Sequence, residues 1–240
     1  MSLKPPKKSD LNKAWMKPRR DKAKKLQPEY HLIVTEGTDT EPAYFGAIKE
    51  IINRRYQGKI QLSVFGEGDN TLNLLNKARK RAELDPNGYR HVWVVYDTDD
   101  FPPEHIDQTA QLCQIWSKSG EITYHAIWSN QCIELWFLLH FSYMHSDLRR
   151  TEYWPKLTEC LRSLGEGDYE KDRPDMYRIL YPMIDFAIAN AKRLEIENQG
   201  RPPSKSAPGT AVHHLIELLK PYLPPPPPLP WGPSQGCAPF

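Results

Sequence analysis

His31-Leu32-Ile33-Val34-Thr35-Glu36-Gly37 and His91-Val92-Trp93-Val94-Val95-Tyr96-Asp97-Thr98-Asp99-Asp100 are two short apolar runs, and each ends abruptly in carboxylate. Runs of this length, rich in Val, Ile and aromatics, read as buried strands of a parallel sheet. In open α/β sheets, ligands gather beyond the carboxyl ends of the strands. Glu36, Asp97 and Asp99 are therefore expected to meet at one sheet edge and hold a divalent cation, with Glu41 and Asp100 as further acids. The D-x-D spacing points two side chains the same way, because strand residues alternate between faces. Hard cations such as Mg²⁺ keep several waters, so two or three carboxylates suffice. An acid after a strand also caps turns and helices. D-x-D alone favours that reading, whereas two strands both ending in acid favour the metal.

Outward from these runs, the chain reads β-α-β-α-β-α-β. Thr38-Asp39-Thr40 offers capping oxygens ahead of Glu41-Pro42, and Tyr44, Phe45, Ile48 and Ile52 recur at helical spacing. Ile60–Phe65 alternates as a second strand. Gly66-Glu67-Gly68-Asp69-Asn70 then turns into a capped helix with Leu72, Leu75, Ala78 and Ala82 on one face. Pro102-Pro103 opens a helix to about Lys118, and Ile122–Trp128 is a further strand. Ser129-Asn130 is read as the cap of a helix over Cys132–Phe141, apolar on nearly every side apart from Glu134. A buried carboxylate needs a metal, an arginine or a hydrogen-bond network. This order argues for a mostly parallel α/β sheet flanked by helices.

Beyond Asp147 no strand pattern is visible. Leu157, Leu161 and Leu164 suggest one helix, Met176 to Leu194 a long amphipathic one, and Val212, Leu215, Ile216 and Leu219 a last one after a loop at 200–210. The expected organisation is a basic, disordered arm (1–29), an α/β domain (30–145), a helical extension packed on it (146–220) and a proline-rich tail (221–240). Residues 1–30 hold ten Lys and Arg against three Asp and Glu, which leaves 22 basic and 27 acidic residues, or −5, beyond. Such an arm suits contact with polyanions, Trp15 and Arg19-Arg20 included, and equally suits a solvated tail. Lys49, Lys77, Arg79 and Arg81 are candidates for a phosphate track, or for plain solubilising charge.

Of the 240 residues 39% are hydrophobic, enough to bury a core, and no apolar run approaches the ~20 residues that span a bilayer. No membrane segment or secretory leader is expected. Cys113, Cys132, Cys160 and Cys237 are widely spaced without a CxxC, so free thiols of a reducing cytoplasm are expected rather than structural zinc. His140 reads as a core histidine. Glu134 reads as a metal-ligating or supporting carboxylate, and Asn130 is as compatible with structure as with function.

Val34-Thr35-Glu36-Gly37 with Thr40-Glu41-Pro42 and Tyr44-Phe45, then Val94 to Phe101, then Ser129 to His140, together resemble the RloB-like proteins, a family of bacterial restriction and phage-defence loci. The resemblance runs from about His31 to Phe141 and more weakly over Pro208–Leu219. Gln131 stands where members commonly have proline. The resemblance implies a Toprim-like fold, shared with topoisomerases, primases and OLD-type nucleases. In that superfamily the glutamate of the first strand is a general acid or base and the D-x-D aspartates hold Mg²⁺, roles that would fall on Glu36, Asp97 and Asp99. Glu41 matches a second acidic position of OLD-type sites. An ATPase partner is implied as well.

The leading expectation is a Mg²⁺- or Mn²⁺-dependent nuclease acting on RNA, tRNA included, or DNA in anti-phage defence. Its catalytic candidates are Glu36, Glu41, Asp97, Asp99 and Glu134. The alternatives are a non-catalytic module that engages an ATPase and another Toprim phosphotransfer chemistry. Strand passage is disfavoured because 240 residues leave no room for gate domains. A homo-oligomer is left open.

Overall fold

The computed structural model describes residues 29–86, 88–98 and 101–229. The basic arm up to residue 28, Asp99, Asp100 and the tail from residue 230, Cys237 included, lie outside the described residues. Strand β1 (Glu29–Thr35) is followed by α1 (Thr40–Arg55), β2 (Ile60–Gly66), α2 (Thr71–Leu84), β3 (His91–Asp97), α3 (Pro103–Ser119) and β4 (Thr123–Asn130). A helical part follows: α4 (Glu134–Leu138), α5 (Arg150–Ser163), α6 (Met176–Leu180) and α7 (Ile184–Glu197), then a short β5 (Gly209–Thr210) and α8 (Val212–Leu219).

The sheet order is β2-β1-β3-β4-β5, with β1 to β4 parallel and β5 antiparallel to β4. From β1 the chain crosses to one side, and from β3 to the other. The order therefore reverses between β1 and β3, and that switch point is where doubly wound sheets open a crevice. Thr35 pairs with Val95 and Asp97 with Ser129, so the acidic ends of β1 and β3 lie side by side.

Alternation divides the apolar residues between two faces. Leu32, Val34, Val92, Val94 and Tyr96 pack with α2 and α3. Ile33, Trp93, Val95 and Ile127 join a larger cluster with α1 and α4 to α8, to which residues on both sides of position 146 contribute. Among the described residues no helix is long and apolar enough to cross a membrane.

Local expectations fail where tertiary contacts compete. Asp39 makes no side-chain cap on α1, and the Thr40 hydroxyl donates instead to the Lys171 carbonyl. Leu74, not Leu72, is buried on α2 beside Leu75, Ala78 and Ala82, while Asn70 does cap this helix, accepting from the Asn73 amide at 3.1 Å. Ser129 and Asn130 end β4 rather than cap α4, and the peptide bond after Asn130 is cis. The segment Cys132–Phe141 is buried as expected, but only Glu134–Leu138 is regular helix. The long helix expected to Leu194 is interrupted by a 3₁₀ turn at Tyr181–Met183, because Pro182 has no amide to continue it.

His140 is a core histidine. Its Nδ1 donates to the Trp136 carbonyl at 2.9 Å, while Nε2 is buried without a partner among the described residues. Burial lowers its pKa from 6.5 to about 3, and burial with the neighbouring His91 and His125 imidazoles does the same for His31. Below 6.5 the unfolded chain then binds more protons than the native one, so stability falls with pH down to the native values. The urea midpoint is expected to drop between pH 7 and pH 5, and to drop less in His140→Phe. An equal slope in the variant would remove His140 as a cause.

Candidate metal centre

Glu36 leaves β1 with its amide donating to the Val95 carbonyl at 2.9 Å, and its Oε2 accepts the Asp97 amide at 3.2 Å. The carboxylate thus spans from the end of β1 to the end of β3. A Cβ at Gly37 would meet the Glu41 carboxylate and displace it from its place in the cleft. Glu41, in the first turn of α1, is 5% exposed. Burial pushes its carboxyl above the usual range and the Glu134 charge adds to this, against amide hydrogen bonds from Glu41 and Gly37 and the Lys171 ammonium.

Glu134 is 1% exposed, and its need for partners is met by hydrogen bonds to Oε1 from the Tyr169 hydroxyl at 2.8 Å and the Trp154 indole at 3.1 Å. Beside it, burial and the Glu134 and Asp97 charges push the Cys132 thiol upward. The Asn130 side-chain amide donates to the Thr98 hydroxyl at 3.1 Å, and the Asn130 backbone carbonyl accepts from the Tyr153 hydroxyl at 3.1 Å, which fastens the end of β4 to α5.

Glu36, Glu41, Asp97 and Glu134 line one cleft of about 510 Å³ at the switch point, so four of the expected residues come together. Asp99 and Asp100 fall outside the described residues. Arg150, at the start of α5, and Lys171, in the loop before α6, line the same cleft. They had no signal in the sequence, since neither lies in a periodic segment near the acids. Lys49, Lys77, Arg79 and Arg81 do not line it. Lys77 pairs with Glu67 and Asp69, Arg81 with Glu67, and Arg79 with Glu83.

The donor chemistry of Glu36 and Asp97 fits a hard divalent cation, because both offer carboxylate oxygen at adjoining strand ends. Among the described residues, however, triads tight enough to share one ion lie elsewhere, at Glu29–His31–His91 and Glu195–His213–His214. In the cleft, two of the three expected ligands are adjacent and the third, Asp99, is not described.

Fold and site together define an α/β protein with an acidic cleft at the switch point of its sheet, covered by a helical C-terminal part. The chain belongs to the RloB-like family: the family model described as RloB-like protein matches residues 31–219, from β1 through α8. Comparison with curated proteins and with solved structures returns no match.

Proposed function

We propose that this chain is a Toprim-type nuclease that uses Mg²⁺ or Mn²⁺ to cleave phosphodiester bonds of RNA, tRNA included, or DNA. The observation that carries this reading is the charge of the cleft. Among the described residues seven carboxylates line it (Glu36, Asp39, Glu41, Asp69, Asp97, Glu134, Asp172) against two cationic side chains, Arg150 and Lys171. A phosphodiester anion would be repelled from such a cleft unless a cation intervened.

Glu36 and Asp97, with Asp99, are the residues that would hold the ion. When bound, the cation polarises a phosphoryl oxygen and offsets the charge that develops on the leaving oxygen. Glu36 moves the proton, and Glu41, whose carboxyl burial pushes above its usual range, is the second carboxyl in the cleft able to exchange one. Glu134, fixed by Tyr169 and Trp154, adds its charge to the burial that raises Glu41. Arg150 and Lys171 grip the substrate phosphates. The resemblance to the RloB-like proteins supports an ATPase partner and a role in anti-phage defence.

Incubating the full chain with end-labelled RNA and DNA, in Mg²⁺, in Mn²⁺ or in chelator, tests the reading. Cation-dependent product is expected. Intact substrate in every cation, with the ATPase partner present, would leave a docking role in its place. Lys171→Ala is expected to raise KM about tenfold with a smaller change in kcat, since it removes one phosphate contact, worth about 1–2 kcal/mol. An unchanged KM would take Lys171 out of the substrate path.

A further inference from the structure

The Glu195–His213–His214 cluster lies apart from the cleft and has no role in the reaction above. His213 Nδ1 is 3.2 Å from the Thr210 carbonyl oxygen, which can only accept, so Nδ1 carries the proton. Nε2 of the same ring then presents a lone pair, and it faces Glu195 Oε2 at 3.1 Å. Two acceptors at that distance repel each other unless a cation lies between them. The His213 side chain is 0% exposed, which works against a second ring proton as that cation.

His214 adds a third donor, with Nε2 2.9 Å from Glu195 Oε1. Consecutive residues of a helix point about 100° apart, yet these two rings lie 4.0 Å apart because both turn toward Glu195. A histidine that donates one ring N–H to a backbone carbonyl and offers the other nitrogen is arranged as metal ligands usually are. The triad Glu29–His31–His91 behaves differently. There the Trp93 indole donates to His31 Nδ1 at 3.2 Å, which leaves the proton on Nε2, and His91 Nε2 lies 3.1 Å from Glu29. With its Nδ1 lone pair engaged by Trp93 and its proton on Nε2, His31 offers that group no free nitrogen for an ion.

We propose that Glu195, His213 and His214 form a site for a borderline divalent cation of the zinc class, clipping α7 to α8. Two imidazole nitrogens and one carboxylate suit Zn²⁺ rather than Mg²⁺. Glu195 and His214 also line a separate cavity of about 350 Å³, from which water completes the coordination. The absence of a CxxC or of a histidine pattern near the cysteines argues against a cysteine-based zinc site and does not bear on this one. Here the ligands are 18 residues apart on two helices, and packing brings them together.

Titrating the chelator-stripped full chain with Co²⁺, and reading the visible absorption of four-coordinate cobalt, tests this. One equivalent should bind, Zn²⁺ should displace it and Mg²⁺ should not. Glu195→Gln and His214→Ala, both at half-exposed side chains, should each weaken binding about tenfold or more with unchanged circular dichroism. Should one of them fail to fold, the other decides. Asp97→Asn and His91→Ala should show the same four-coordinate Co²⁺ absorption as the wild type, which keeps this site distinct from the cleft and from the other histidine cluster. Absence of the signal in folded wild-type protein, binding undiminished in both Glu195→Gln and His214→Ala, or its loss in Asp97→Asn or His91→Ala, overturns the site.

Discussion

Asp97→Asn is expected to cut cation-dependent phosphodiester cleavage by about three orders of magnitude, because a bound cation contributes several kcal/mol to the transition state and each 1.36 kcal/mol is tenfold. Asparagine keeps the size, and the backbone amide that donates to Glu36 is untouched, so the strand end should hold its shape while losing a formal charge. Excess Mn²⁺ should recover part of the activity if the loss lies in ion affinity. The measurement is single-turnover cleavage of labelled RNA and DNA at saturating protein, with circular dichroism as the control for folding. Wild-type rates in a folded Asp97→Asn protein would remove the cleft from the chemistry.

Trp136→Ala is expected to lower stability by about 3–5 kcal/mol, the range for emptying a buried aromatic site. Trp136 is 0% exposed in α4, its indole donates to the Tyr44 hydroxyl at 3.0 Å, and its ring meets His140 edge-on at 4.9 Å. Removing it leaves a cavity and takes away the donor to Tyr44, which places the expected loss in the upper part of that range. Because α1, α4 and α5 share this cluster, the loss should appear as one shifted urea transition with no second step. A shift below about 1 kcal/mol would mean that the site relaxes around the gap.

The centre of the sheet was legible because β1 and β3 are apolar on both faces. The runs at His31 and His91 could be buried in no other simple way, and Tyr44, Phe45, Ile48 and Ile52 occupy the buried face that their spacing predicted. The C-terminal part was less legible. β5 has two residues, too few to show alternation, and it exists only because β4 offers Ser129 and Asn130 as partners. The break at Pro182 was hidden by an apolar period that continues through it. Capping oxygens near Asp39 looked local, but the Thr40 hydroxyl was taken by a carbonyl 131 residues away.

Sequence by itself determined the α/β class, the strands that end in acid, and four acids that line one cleft, since strand length, alternation and the cost of burying charge are local properties of a chain. The tertiary structure decided which cations face those acids, what holds Glu134, and how Glu195 meets His213 and His214. Those pairings join segments that are distant in sequence, and they are set by how α5, α7, α8 and the loops between them fold back on the sheet. Such packing reflects the summed contacts of the whole core, and no short window of residues encodes it.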